Sequence, residues 1–205
     1  MGSAAVASVD GRRARSAKTR EAIVDSFIAL LEAGDLKPTA AAIAARAGLS
    51  VRSVFQHFAD LEDLLLAVSD RQTNRIASLY TGVHYDGDLA SRIEVFADYR
   101  ARLFETIAPV RRSATLQEPF SRVVASRLQL ARTLHRLDIE RAFGPELDAA
   151  RAAGDTTLGE AVASASSFVA WDEMRRFSGL DVEAATAVLR RTVSALFDHA
   201  KNHAA

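Results

Sequence analysis

The chain has 205 residues, of which 49% are hydrophobic and 25% are charged, and its 26 basic and 26 acidic side chains give a formal net charge of 0. This balance excludes a disordered polymer and a protein whose whole surface attracts nucleic acid, but it allows a local basic segment. Cysteine is absent, which excludes disulfides, zinc–thiolate sites and cysteine nucleophiles. A reducing, cytoplasmic location is therefore expected.

The sequence predicts an all-α fold, because alanine is abundant, the prolines number 4 and runs of β-branched residues are scarce. Residues 1–14 show no helical periodicity, so a flexible basic tail is expected there. The first helix is expected to run from Arg15 to Ala33, and the fourth from Asp60 to Tyr80. The second helix is expected to begin at Thr39 and the third at Ser50. Further helices are expected at about 88–107, 117–142, 156–178 and 181–201. No apolar run is long enough to cross a membrane, so no membrane partner is expected.

The segment from Thr39 to Phe58 has the spacing of a helix-turn-helix. Gly48 can supply a tight turn, and Thr39 and Ser50 are good N-caps for the helices on either side of it. The second of these helices would present Val51, Arg52, Ser53 and Gln56 to a DNA major groove. The spacing by itself is equally compatible with an ordinary pair of antiparallel helices.

The residues in this segment also resemble a known family. Ile43-Ala44, Ala47-Gly48-Leu49-Ser50 and Val54-Phe55-Gln56-His57-Phe58, followed by Glu62 and Leu64, are similar to the N-terminal signature of TetR-family repressors. The resemblance covers about residues 18–70. It implies a homodimeric, ligand-responsive transcriptional regulator that binds a palindromic operator in double-stranded DNA. The corresponding division is a tail at 1–14, a helix-turn-helix DNA-binding domain at 15–60, and a helical ligand-binding and dimerisation domain at 61–205.

The resemblance implies that Thr39 caps the second helix and contacts a phosphate, and that residues 51–53 read the bases. Two departures are Phe55, where the family usually has tyrosine, and Leu61, where it usually has lysine, so two phosphate contacts per subunit are expected to be missing. The basic residues near the N-terminus are expected to compensate as an arm on the DNA, or else to be solvated. The full set of expected DNA-binding residues is Thr39, Ser50, Val51, Arg52, Ser53, Gln56, His57, Arg12, Arg13, Arg15 and Lys18.

A small-molecule pocket is expected in the second domain. Arg100 falls on the apolar stripe of its helix, four residues after Phe96, and a buried guanidinium needs an acid or an anionic ligand as its partner. The alternative is that the arginines of this region extend to water and that the aromatic residues are ordinary core. The candidate pocket residues are Phe96, Tyr99, Arg100, Phe104, Arg127, His135, Phe168 and Trp171.

The last two helices are expected to form the dimer interface, because the final helix has a long apolar face that must be covered. Within a monomer the same face would cover the core instead. The interface candidates are Val182, Leu189, Val193 and Leu196.

An enzyme is not expected, because the chain has no dinucleotide-binding, P-loop, zincin or serine-hydrolase motif. No metal site is expected either, because the helically spaced pair His199 and His203 supplies only two ligands, and no cofactor is expected. The competing function is a ligand-sensing helical dimer that has lost DNA binding. Phe55 and Leu61 favour this alternative, whereas Arg52 and the basic residues near the N-terminus favour DNA binding.

Overall fold

The computed structural model describes the backbone of residues 3–203 and the side chains of residues 13–202. The fold is all-α, and no strand occurs within that backbone range. A 3₁₀ turn at Glu118–Phe120 and a π-helical turn at Glu173–Phe177 interrupt the α-helices. The α-helices are α1 Ser3–Glu32, α2 Ala40–Ala47, α3 Val51–His57, α4 Leu61–Thr81, α5 Leu89–Gln117, α6 Arg122–Ala152, α7 Leu158–Ala165, α8 Phe168–Asp172 and α9 Val182–His203.

Several predicted helix limits are wrong, beginning with the start of α1 and the segment at 156–178. Helix α1 begins at Ser3, so residues 3–14 are helical and do not form the expected flexible tail. Helix formation there agrees with the alanine-rich sequence, because alanine has the highest helix propensity. The segment expected to be one helix at 156–178 is divided near Ser166, where Ser167 caps α8 by accepting a 3.1 Å hydrogen bond from the Ala170 amide.

Helices α5 and α6 both continue through a proline, beyond their predicted ends. In α6 the backbone leaves helical geometry at Phe143 (φ −133°, ψ 16°), two residues before Pro145, whose ring and missing amide disturb the preceding turn. Arg92 donates a 2.6 Å hydrogen bond to the carbonyl of Ala142 and also pairs with Glu146. A side chain of α5 therefore binds the backbone of α6 where the proline disrupts it.

The chain divides into two compact units, and their limits differ from the predicted boundary at residues 60 and 61. The first unit extends to Arg75 and includes Pro109–Leu128, and the second comprises Ile76–Ala108 and Gln129–Ala205. The predicted boundary follows the family resemblance, whereas the two units are defined by which segments of the chain contact each other in the fold. The first unit is therefore built from two separate stretches of the chain.

The core of the first unit is formed by buried side chains from α1, α2, α3, α4 and the beginning of α6. Helix α1 contributes Ile23, Phe27 and Leu31 on one face, as its predicted periodicity requires. Glu62, in the first turn of α4, accepts hydrogen bonds from the Ser121 hydroxyl at 2.8 Å and the Val123 amide at 3.3 Å. The buried members are Ile23, Val24, Phe27, Ile28, Leu31, Ile43, Ala44, Val54, Phe58, Leu64, Leu65, Val68, Val124 and Leu128.

The second unit contains two clusters of buried side chains. One is centred on Phe96, Phe143 and Phe197. The Phe143 ring lies edge-on to that of Phe96 and tilted against that of Phe197, with centroid separations of 5.1 and 4.9 Å. The other contains Phe104 and Trp171, whose rings are 6.0 Å apart. Aromatic side chains from α5, α6, α8 and α9 thus supply much of the apolar contact in this unit.

Within the described part of the chain, no helix is both long and apolar enough to span a bilayer.

Candidate DNA-binding surface

Helices α2 and α3 are joined by a tight turn, and each of the two helices begins at a capping residue. Gly48 ends α2 in the left-handed conformation (φ 67°, ψ 32°), which glycine adopts without the steric cost of a Cβ. The Thr39 hydroxyl accepts a 3.2 Å hydrogen bond from the Ala42 amide, and the Ser50 hydroxyl accepts a 3.1 Å bond from the Ser53 amide. Both helix starts are therefore fixed by the residues that the sequence predicts as caps.

Helix α3 buries one face and exposes the opposite one. Val54 is buried in the first core, and Phe58 is buried directly after the helix. Arg52 and Gln56 are exposed and lie one helical turn apart, so both side chains project from one side of α3. Ser53 and His57 are half-buried, and Ser50 and Thr39 are exposed beside the helix starts. A short, capped helix thus presents a guanidinium and an amide to solvent, and these groups can read base edges.

The comparison with known families agrees with this geometry. Residues 23–68 match the family model described as bacterial regulatory proteins, tetR family. This segment is a TetR-family DNA-binding module. It includes α2 and α3 entirely, most of the buried part of α1 and the beginning of α4. The chain is therefore a DNA-binding transcriptional regulator with a helix-turn-helix.

The fold is shared well beyond the TetR module. A crystal structure of a transcriptional regulator from Rhodococcus sp. Rha1 superposes with a TM-score of 0.66. It covers 88% of this chain and 96% of the other chain, at 14% sequence identity. The likeness at this identity concerns the fold. No curated protein sequence matches the chain.

The basic residues near the N-terminus lie on a helix and do not form an extended arm. Arg13, Arg15 and Lys18 are exposed on α1, while the side chain of Arg12 lies outside the described residues. Arg15 and Lys18 are three positions apart and share one side of α1. The expected cations are thus present, but on a rigid element whose reach is set by the helix.

Two exposed apolar side chains accompany the TetR module. Phe55 on α3 is 51% exposed and Leu61 at the start of α4 is 49% exposed. Neither side chain can make the ionic or hydrogen-bonded phosphate contact that tyrosine or lysine would make there. The surface beside α3 is therefore poorer in phosphate-binding groups than the family pattern implies.

Arg20 contacts α3, although it is not among the residues expected at the DNA-binding surface. Its guanidinium is directed at the end of α3 and hydrogen-bonds the carbonyl of His57. The sequence contains a sign of this contact in the helical spacing. Arg20 lies three residues before Ile23 and seven before Phe27, on the buried face of α1.

Most of the predicted pocket residues lie together in the second unit. Phe96, Tyr99, Arg100, Phe104, Phe168 and Trp171 are all buried there, and His135 is half-buried. The Arg100 guanidinium lies 4.8 Å from the centre of the Phe96 ring and 5.4 Å from that of Tyr99. Trp171 donates a 2.9 Å hydrogen bond from its indole nitrogen to Glu105. His135 lies 3.0 Å from the Ala163 carbonyl through Nε2.

The placement of Arg127 corrects part of that prediction. Arg127 belongs to the first unit, where its guanidinium pairs with Asp70 of α4 at 2.5 Å. Its register among apolar residues suggested a buried charge, but the side chain is about one-third exposed and already has an acidic partner. Arg127 is therefore removed from the pocket set.

The interface candidates on α9 also divide into two groups. Leu189 and Val193 are 2% and 0% exposed because they pack inside the second unit. Their apolar face covers the core of their own subunit, so these two residues are not available to a second copy. Val182 remains exposed and Leu196 is half-buried, so both remain interface candidates.

Among the described residues, no group of three or more histidine and acidic side chains is placed to hold a metal ion.

Proposed function

We propose that this regulator is a homodimeric, ligand-responsive repressor that binds a palindromic operator. The observation that carries the proposal is the pair Arg52 and Gln56, exposed on a short capped helix within the TetR module. A repressor with one such helix per subunit reads two half-sites related by the two-fold axis of the dimer. The half-sites are expected about one helical turn apart, or further if the two modules are splayed.

The base contacts are assigned from the chemistry of α3. Arg52 donates to the O6 and N7 atoms of a guanine, and Gln56 is positioned to contact the next base on the same side of the helix. Val51 packs near a thymine methyl group. Thr39 and Ser53 contact phosphates and so fix the register without reading sequence.

The dimer is proposed to form through the last helices. Four large apolar side chains in this part of the chain are exposed in the single subunit, namely Val169, Phe177, Val182 and Val188. Exposed apolar side chains that lie side by side are typical of a surface that associates. Two antiparallel helices from each subunit would cover them in a four-helix interface.

The effector is proposed to bind beside the aromatic cluster of the second unit. Tyr99, Phe104 and Trp171 are buried in this cluster, so a small molecule that enters it would meet mainly apolar side chains and few polar atoms. Arg100 already pairs with Asp138, so the site does not require an anionic ligand to neutralise the guanidinium. We therefore propose a largely apolar, uncharged effector that favours one of two dimer states by binding it more tightly.

Selection of duplexes from a random pool with the purified protein tests the DNA-binding proposal. An inverted-repeat operator is the expected product. Arg52→Ala should then cost about 1–3 kcal/mol on that operator and relax selectivity at one base pair in each half-site. The matched control is Arg46→Ala, because Arg46 is also an exposed arginine but lies on α2. This variant should not relax selectivity.

The same measurements identify the competing outcomes. Equal weakening of specific and random duplexes by Arg52→Ala would make Arg52 a phosphate contact. Failure of the unaltered protein to retain any duplex at low salt would favour a ligand-sensing dimer that has lost DNA binding.

A further inference from the structure

Arg20 on α1 makes three different contacts around the end of α3. Its Nη1 donates a 2.6 Å hydrogen bond to the main-chain carbonyl of His57, the last residue of α3. Its guanidinium carbon lies 4.0 Å from the centre of the Phe58 ring. Its Nη2 pairs with the carboxylate of Asp63 at 3.3 Å. One planar cation thus contacts the last carbonyl of the helix, the residue after it and an acid of the next helix.

Asp63 extends this connection along the backbone. Its second carboxylate oxygen accepts a 3.3 Å hydrogen bond from the Ala59 amide, in the link between α3 and α4. Its own amide donates to Asp60 at 2.9 Å. The two residues after α3 are therefore both held: Phe58 contacts the Arg20 guanidinium, and Ala59 is bound by the Asp63 carboxylate.

The position of the α3 C-terminus matters because α3 is only seven residues long. Its last carbonyls have no partners within the helix, so groups outside the helix must satisfy them. Ser50 caps the first turn and Val54 packs the middle of the helix into the core, so contacts at the other end are what remains to fix its direction. A bidentate contact to a base edge tolerates only small errors in that direction.

We infer that Arg20 is a positioning residue for the recognition helix: it sets the direction of α3 on DNA by holding the His57 carbonyl, and it is not a phosphate contact. The inference rests on the proposed reading of DNA by α3. The geometry requires an arginine, because a planar guanidinium can stack on Phe58 while its separate nitrogens donate to a carbonyl and a carboxylate. A lysine has the same charge but only one nitrogen and no plane to stack.

The role is tested with three variants, Arg20→Ala, Arg20→Lys and Lys18→Ala, assayed on the selected operator and on a random duplex over a range of salt concentrations. Positioning predicts that both Arg20 variants lose about tenfold in operator affinity, the scale of one weakened base contact. Both should retain wild-type affinity for the random duplex. The slope of log affinity against log salt on the random duplex should also be unchanged. Lys18→Ala, the charge-matched control on the same helix, should keep the operator preference.

A phosphate contact predicts a different pattern. Arg20→Ala would then weaken both duplexes alike and reduce the magnitude of the salt slope by about 0.9 per lost contact, whereas Arg20→Lys would bind like the wild type. That result would overturn the inference, as would wild-type operator preference in both Arg20 variants.

A measurement without DNA separates this inference from the proposed function. Hydrogen exchange on the free protein should show faster exchange at the Phe58 and Ala59 amides in Arg20→Ala and in Asp63→Asn, with the Ile43 amide of α2 unchanged. Unchanged exchange at Phe58 and Ala59 in both variants would overturn the positioning role. If no operator can be selected with the wild type, the proposed reading of DNA fails, and the exchange data still decide whether Arg20 holds the end of α3. Arg20→Lys serves for the comparison if Arg20→Ala does not fold.

Discussion

The guanidinium of Arg100 donates a 2.7 Å hydrogen bond to the carboxylate of Asp138, and the two side chains are 2% and 8% exposed. The Tyr85 hydroxyl donates a second hydrogen bond to the same carboxylate oxygen at 3.0 Å. The sequence predicts that Arg100 needs an acid or an anionic ligand, and the partner is an acid of α6. Removing one of these two side chains therefore leaves the other buried without its partner.

Replacing one member of this pair should lower the stability of the protein strongly, and replacing both should lower it much less. Arg100→Met should lower the free energy of unfolding by about 3–5 kcal/mol, because Asp138 is left buried without its counter-charge. The double variant Arg100→Met, Asp138→Leu should recover most of that loss. Urea unfolding of the single and double variants measures both values. A double variant less stable than Arg100→Met would contradict this account.

The stability of the second unit should also depend on the ionisation of Asp138. Burial raises the pKa of Asp138 above the ordinary carboxyl value of 3.8, against the opposing effects of Arg100 and the Tyr85 hydrogen bond. The folded state then binds the proton more tightly than the unfolded state, so the contribution of this group to stability falls as pH rises above that value. In Asp138→Asn the group does not titrate. The stability of the wild type relative to Asp138→Asn should therefore decrease as pH rises above about 4 in urea unfolding, and an increase would show that ion pairing outweighs burial.

A new cation beside α3 should raise the affinity for DNA without increasing the sequence selectivity. Leu61→Lys places an ammonium group at an exposed position at the start of α4. One new phosphate contact per subunit should steepen the salt slope by about 1.8 per dimer and raise affinity for every duplex alike. Fluorescence anisotropy titrations at several salt concentrations measure both quantities. Leu137→Lys, at a comparably exposed position on α6, is the control and should leave the salt slope unchanged.

The proposed dimer should dissociate when the exposed apolar side chains of its interface are replaced. Val188→Glu on α9 should give a folded monomer in light scattering, because Val188 is 42% exposed and contributes little to its own core. Leu189→Glu should instead unfold the second unit, since Leu189 is 2% exposed. Leu134→Glu, at a similarly exposed position on α6, tests the competing surface formed by Leu130, Leu134 and Leu137. A monomer from Leu134→Glu and a dimer from Val188→Glu would place the interface on α6.

The parts of the fold predicted correctly are those determined by neighbouring residues. Thr39 and Ser50 were identifiable as caps because each bonds an amide three residues away, and Gly48 because a tight turn needs positive φ. The start of α1 is not marked by an apolar stripe, and only the helix propensity of its alanines indicates it. Periodicity identifies an apolar face but not what covers it, so Leu189 and Val193 were assigned to a partner when they pack inside their own subunit.

The contacts of charged side chains were harder to predict because their partners are distant in sequence. Arg20 meets His57 and Asp63, and Arg127 meets Asp70, across gaps of 37, 43 and 57 residues. Only the packing of the helices brings these pairs together. The sequence could indicate that Arg20 and Arg100 lie on buried stripes, but it could not indicate which carbonyl or carboxylate each one meets.

Val124 and Leu128 pack in the same core as α1 to α4, although they follow α3 by more than sixty residues. A fragment ending at Arg75 would lack these two side chains and would leave Glu62 without the hydroxyl and amide of α6 that it binds. Helices α2 and α3 should therefore be less stable when excised than in the whole protein. Any attempt to graft them onto another domain would have to supply a replacement for the first turns of α6.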